Sequence, residues 1–146
     1  MRCNDPGSMD QAVWTVLEEY EARAQREEQL MSTLSAEQSM RRRDEMLLPV
    51  GRATGTLMNL LVKEGEARRI LEVGSSYGYS TTWLAEAARA VGGRVVSLEL
   101  QAAKTEYARA QLARAGLAPG SRHTSSFASA TRSHRCTSSR GLSISC

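Results

Sequence analysis

Acidic residues end at Glu106: the last 40 residues of this 146-residue chain contain no Asp or Glu. That absence relocates the charge. A formal net charge of +3 points at first sight towards nucleic acid. Residues 1–117, however, hold 15 Lys+Arg against 16 Asp+Glu, and residues 118–146 hold four arginines and no acid. The basic excess belongs to the tail, and the remainder offers no electrostatic footprint for nucleic acid. Long apolar runs are also missing. None approaches the roughly 18 residues of a membrane span, and Arg2 is followed by no apolar stretch of the kind a secretory signal needs. Cysteines are few: Cys3, Cys136 and Cys146, an odd number at wide spacing, make neither a disulfide framework nor a zinc site. The expectation is a cytoplasmic chain with no nucleic-acid partner and no membrane partner.

The length suits one domain with a real core. Residues 1–9 read as a polar, disordered lead containing Pro6 and Gly7. A helix is predicted from Asp10 to Met31, with Val13, Trp14, Leu17, Tyr20 and Ala24 at helical spacing and Asp10 as its cap. A second runs from Ser35, with Gln38 completing a capping box, to Leu48, where Pro49 stops it. Its Arg41, Arg42 and Arg43 read as a solvated face, because no aromatic neighbours accompany them. A third spans Gly51–Glu64, with Leu57, Leu60 and Leu61 sharing a face that Ala53 extends.

Then the pattern changes. Arg69–Val73 is a short apolar strand, followed by a glycine turn and a helix over Ser80–Val91. After Gly92-Gly93 comes a strand over Arg94–Leu100 and a helix over Ala102–Ala115. The order β-α-β-α with non-alternating strands predicts an α/β fold: the N-terminal part of a Rossmann-like parallel sheet, covered on both faces and preceded by helices. Residues 10–117 form this unit. Residues 118–146 hold nine serines, and their only large apolar residues are Phe127, Leu142 and Ile144. A segment of that composition buries too little to offset its ordering entropy and reads as a disordered Ser/Arg-rich tail.

The glycine turn is the centre of the chemistry. A strand that feeds a glycine turn and then a helix start presents unpaired N–H groups to a polar ligand. Gly74 and Gly78 stand in Gly-x-x-x-Gly spacing, which differs from the Gly-x-Gly-x-x-Gly that holds a dinucleotide pyrophosphate. A nicotinamide-dependent oxidoreductase is disfavoured on that ground. Glu99 lies 25 residues beyond Gly74, at the end of the next strand. A carboxylate there can accept two hydrogen bonds from a ribose diol. The alternative for Glu99 is a solvent-exposed strand-end acid without a ligand.

The run Glu72-Val-Gly-Ser-Ser-Tyr-Gly-Tyr-Ser80, the strand ending in Glu99, and the upstream Leu48-Pro-Val-Gly-Arg-Ala-Thr-Gly-Thr-Leu57 resemble the class I S-adenosylmethionine-dependent O-methyltransferases. The likeness is to the small catechol and caffeoyl-coenzyme A type and its bacterial relatives, over residues 40–117. It implies cofactor binding by Val50, Glu72, Gly74, Ser80 and Glu99. Glu99 would take the ribose hydroxyls, Gly74 would pass under the methionine part, and Ser80 would meet the cofactor carboxylate at a helix start. Glu72 would steady the turn or the cofactor's amino end, and Val50 would line the site. Tyr77, Tyr79 and Trp83 read as packing residues.

The resemblance further implies methyl transfer to a hydroxyl of a small-molecule acceptor, assisted by Mg²⁺ or another divalent cation, and a homodimer as the assembly the family often forms. The family's metal ligands come from later strands, and no acid follows Glu106 to supply them. No metal ligand and no catalytic residue is therefore assigned. His123 and His134 lie in the tail and are not read as ligands. The abrupt change after Leu117 reads as a truncated or frame-shifted methyltransferase that keeps the cofactor half. A non-catalytic module that pairs with a full-length methyltransferase is the alternative.

Overall fold

A computed structural model of the chain describes residues 9–118 and the backbone of residues 126–129. Five helices and three strands follow in the order α1 (Gln11–Ser32), α2 (Ala36–Arg42), a 3₁₀ turn (Arg43–Glu45), α3 (Arg52–Glu64), β1 (Arg69–Val73), α4 (Tyr79–Ala90), β2 (Arg94–Glu99), α5 (Ala102–Arg114) and β3 (Ser126–Ser129). The strands form one parallel sheet in the order β1-β2-β3. This is the predicted α/β architecture, with one addition. The expected disorder of residues 118–146 falls mostly outside the described residues, but Ser126–Ser129 lies beside β2 as a strand, Val96 opposite Ser126 and Glu99 opposite Ser129. Strand pairing uses backbone groups that every residue carries, so a Ser- and Ala-rich segment can join a ready edge despite weak strand propensity. The predicted lead likewise lies outside the described residues, apart from Met9, which packs against the core.

The α1 core face is the one its spacing predicts. Val13, Val16, Leu17 and Tyr20 recur at three- and four-residue steps and are all buried. Asp10 occupies the cap position but makes no side-chain cap bond; its carboxylate pairs with Arg89 at 2.9 Å instead. The capping box of α2 is formed: Gln38 N–H donates to Ser35 Oγ at 3.3 Å, and Ser35 N–H donates to Gln38 Oε1 at 3.0 Å. That helix ends earlier than predicted, its last residues tightening into the 3₁₀ turn before Met46. Arg41 pairs with Glu37 and Arg42 with Glu45 on an exposed surface.

In α3 the buried residues are Gly55, Asn59 and Val62, while Leu57, Leu60 and Leu61 stand exposed. Helical spacing correctly groups the leucines but does not say on which side the neighbour lies. The packing face carries a polar residue, Asn59, beside Val62, and its polarity is satisfied. Asn59 Nδ2 donates to Trp83 O at 3.0 Å and to Glu86 Oε2 at 2.5 Å, and Glu86 is also paired with Lys63 at 2.8 Å.

The helix α4 sits at the centre of the layers. Tyr79 and every residue from Thr81 to Ala88 are buried. The helix packs against both β1 and β2 and also against α1, α3 and α5. One sheet face is thus packed against helices. On the opposite face Leu71 and Val73 are 67% and 77% exposed, and no described element lies over them. The prediction of a sheet covered on both faces therefore holds for one face among the described residues.

Candidate functional site

The turn between β1 and α4 is built by two glycines with different duties. Gly78 has φ +95°, and a Cβ there would meet Ala108 Cβ at 2.7 Å, so the α4 start and α5 need a bare backbone to approach each other. Gly74 has φ +83°, but a Cβ there would meet nothing within 4 Å. The space beside Gly74 is open to a ligand. Ser76, a residue with a side chain, is also held at positive φ, +48°. Gly74 N–H donates to Leu98 O at 2.8 Å, which seats the turn against the end of β2.

Glu99 is fixed at that same end. Its Oε2 accepts from Ser76 N–H at 2.8 Å, and its Oε1 accepts from Leu100 N–H at 2.8 Å and Gln101 N–H at 3.0 Å. Three backbone donors therefore orient the carboxylate, and one of them belongs to the glycine turn. The spare lone pairs of both oxygens remain to accept from hydroxyl donors.

Glu72 faces inward. Its carboxylate accepts from Ser80 Oγ at 2.5 Å, Thr81 Oγ1 at 2.6 Å and Ser97 Oγ at 2.6 Å. A buried charge needs partners of this kind, and here they lock the last turn of β1 to the first turn of α4 and to β2. The Ser80 hydroxyl gives its one proton to the bond with Glu72, so the donor it leaves to a ligand at the helix start is the backbone N–H. Ser75, 2% exposed, carries a hydroxyl with no partner among the described residues.

Gly74 and Glu99 are thus brought together through Ser76 and Leu98, and Glu72 and Ser80 are bonded to each other just behind them. Val50 lies in the segment between the 3₁₀ turn and α3, 46% exposed, and no bond joins it directly to the turn. The link is indirect and runs through side chains to which the sequence reading gave no site role. Tyr20 Oη donates to Tyr77 O at 2.5 Å, and Tyr77 Oη donates to Glu45 O at 2.9 Å. The Arg23 guanidinium sits 4.1 Å from the Tyr77 ring centroid and bonds Glu27 at 2.7 Å, while Glu27 Oε2 accepts Leu47 N–H at 2.5 Å. Tyr79 donates to Glu21 at 2.8 Å, and burial pushes its phenol up to about 12. The Arg52 guanidinium beside Glu21 holds that carboxyl below the usual range. Trp83, 1% exposed, is core, as its reading as a packing residue had it. The one sequence signal for the missed group is the four-residue step from Arg23 to Glu27 on α1. No group of three His, Cys, Asp or Glu suited to a metal ion occurs among the described residues. They do not assemble a donor set for a divalent cation.

The comparisons with known proteins follow the same lines. Residues 20–131 match the O-methyltransferase family. This chain belongs to the O-methyltransferase family. The match starts ahead of residue 40 and runs past Leu117 to residue 131, so the family likeness includes the third strand. The catechol O-methyltransferase of Mycobacterium tuberculosis (strain ATCC 25618 / H37Rv) is 45% identical over 71 residues, 49% of this chain and 32% of that protein. An O-methyltransferase from Bacillus cereus, solved in complex with SAH, is similar with TM-score 0.52 and 30% identity over 83% of this chain and 44% of its own. TomG of Streptomyces achromogenes, an O-methyltransferase involved in tomaymycin synthesis and solved with SAM, has TM-score 0.54 and 30% identity over 82% and 44%. The chain spans about a third of the curated relative and under half of these solved structures.

Proposed function

We propose that the chain binds S-adenosylmethionine in the crevice between Gly74 and Glu99, as the cofactor-binding part of an O-methyltransferase acting on a hydroxyl of a small molecule. The observation that carries this reading is the Glu99 carboxylate, pinned by an amide of the glycine turn and set beside the open space at Gly74. In the bound state Glu99 accepts from the ribose diol, the bare Gly74 backbone admits the methionine part, and the Ser80 N–H faces the cofactor carboxylate at the positive end of α4. Val50 closes the site from the other side. The cofactor, when bound, supplies an electrophilic methyl group. Transfer to an oxygen needs that oxygen, the methyl carbon and the sulfur held in line. The described residues hold the cofactor side of that alignment. They provide neither a base for the acceptor hydroxyl nor ligands for the divalent cation that would lower its pKa, so no step is assigned to them beyond binding and orientation.

Calorimetric titration with S-adenosylmethionine, its demethylated product and NAD tests the reading. The first two bind and NAD does not. Replacing Glu99 with Ala weakens S-adenosylmethionine binding by about 1.5–3 kcal/mol, the worth of hydrogen bonds to a charged group. Binding of NAD, or of none of the three, sinks it.

The exposed Leu57, Leu60 and Leu61 face of α3 favours a second reading, a non-catalytic module that pairs with a full-length methyltransferase. Co-purification with such a subunit supports it, and failure to bind any homologous subunit removes it. A cytoplasmic location and a homodimer belong to the proposal as well; sedimentation tests the latter. No helix among the described residues is long and apolar enough to cross a membrane. A reading frame that leaves the family's is part of the same proposal; the family match reaching residue 131 weighs against a departure directly after Leu117. Translating the coding DNA downstream of the Leu117 codon in all three frames tests it.

A further inference from the structure

We infer that Arg23, acting with Glu27, is a positioning residue that couples the two walls of the cofactor site. The inference rests on the cofactor reading above and extends it to a helix that does not itself reach the crevice. One wall is the glycine turn, the other the segment from Glu45 to Gly51 that carries Val50. No hydrogen bond joins the Gly74–Ser76 backbone to that segment. The connection passes instead through α1 and the Tyr77 side chain.

The guanidinium of Arg23 lies over the Tyr77 ring at 4.1 Å and over the Tyr107 ring at 5.1 Å, and the two rings meet edge-on at 5.4 Å. From there Arg23 Nε donates to Glu27 Oε1 at 2.7 Å, and Arg23 Nη2 reaches Glu45 O at 3.4 Å. The second Glu27 oxygen takes the Leu47 amide at 2.5 Å. The Arg23 and Glu27 side chains are only 22% and 18% exposed, so the Arg23–Glu27 and Glu27–Leu47 bonds are partly shielded from competing water, while the Arg23–Glu45 contact is exposed. On the turn side, Tyr20 holds the Tyr77 carbonyl from below while Tyr77 Oη bonds Glu45 O. A cation–π contact and a charge-assisted bond on one side chain thus bracket both walls. Loosening Arg23 frees Tyr77 and Leu47 together, and a ligand that needs both walls must then order them itself. That cost falls on affinity.

The test compares wild type, Arg23→Met, Arg23→Lys and Glu27→Gln, with S-adenosylhomocysteine as the probe. Arg23→Met raises the dissociation constant about tenfold, equivalent to about 1.4 kcal/mol of coupling. Arg23→Lys, which keeps the charge and much of the reach, recovers most of that loss. A purely structural role would not move the second readout, the hydrogen-exchange protection that the ligand confers on the amides of residues 46–48, 50 and 51. Wild type shows it; Arg23→Met bound to saturation does not. Glu27→Gln keeps an acceptor for Leu47 N–H and serves if Arg23→Met fails to fold; it too weakens binding and lowers that protection. Equal affinity of the variants and wild type, or undiminished protection of these amides, overturns the inference alone. A wild type that binds no S-adenosylhomocysteine overturns the cofactor reading and this inference with it.

Discussion

The two sides of β1 carry neighbouring residues into opposite environments. On the helix side Glu72 is 8% exposed and satisfies three hydroxyls; on the other side Leu71 and Val73 are 67% and 77% exposed. In β2, Val95 and Ser97 are fully buried on the side facing α4. A charged residue is inside and two aliphatic residues are outside, the reverse of what hydropathy alone assigns. What decides burial is where the helices lie. A carboxylate is tolerated beneath α4 because Ser80, Thr81 and Ser97 arrive with donors. The same asymmetry divides the turn, with Gly78 pressed against α5 and Gly74 facing open space.

The largest expected effect comes from breaking the buried side. Glu72→Ala leaves three hydroxyls without their acceptor and opens a gap at the head of α4, and urea unfolding should show a loss of about 3–4 kcal/mol. The glycines come next. Gly78→Ala combines positive-φ strain with a clash at Ala108, for about 3 kcal/mol. Gly74→Ala carries the φ strain alone, about 1 kcal/mol in stability, and its larger penalty appears in S-adenosylmethionine binding. If the two substitutions cost the same stability, the division of duties drawn between them is wrong. A smaller contrast sharpens the sheet comparison directly. Val95→Ala should cost about 2 kcal/mol and Leu71→Ala no more than about 0.5 kcal/mol by the same measurement.

The last expectation concerns pH. Burial pushes the Tyr79 phenol from 10.0 up to about 12, and burial pushes that of Tyr20 up as well. Both are neutral in the fold and ionise more easily once unfolded. Their contribution is therefore whole below pH 10 and is lost as pH rises towards 12. Alkaline unfolding followed by near-ultraviolet circular dichroism should begin in that window. Tyr79→Phe, with no proton to lose, should move the onset upwards.

Much of this was legible in the sequence because it is local. The strands at 69–73 and 94–99 declare themselves as apolar runs bounded by glycines and acids, and the Ser35–Gln38 box is a spacing rule that the chain obeys. The place of Glu99 was legible for the same reason, near the end of a strand that follows a glycine turn, although the strand stops at Glu99 and not at Leu100. What was hidden is long-range. Arg23 and Tyr77 are 54 residues apart, and nothing in either neighbourhood announces that a guanidinium on α1 will lie over an aromatic ring of the turn. The inward rotation of Ser80 is hidden too, since a serine at a helix start can face a ligand or the core. It faces Glu72, a choice made by a carboxylate on the preceding strand. Which face of α3 packs was hidden as well, because helical spacing groups Leu57, Leu60 and Leu61 without saying where the neighbouring helix lies. The helix packs through Gly55 and Asn59 instead, which admit the Trp83 indole and satisfy its backbone.

That last contact makes the protein its own optical gauge. Where a Cβ would stand on Gly55, the Trp83 ring passes, its Nε1 only 2.4 Å from that point and without an acceptor among the described residues. Trp14 meets the same ring edge-on at 5.6 Å, and its own environment is partly open to water. The chain has two tryptophans, and one of them emits from a dry cleft between two helices. Any parting of α3 from α4 admits water to that indole and shifts its emission to the red.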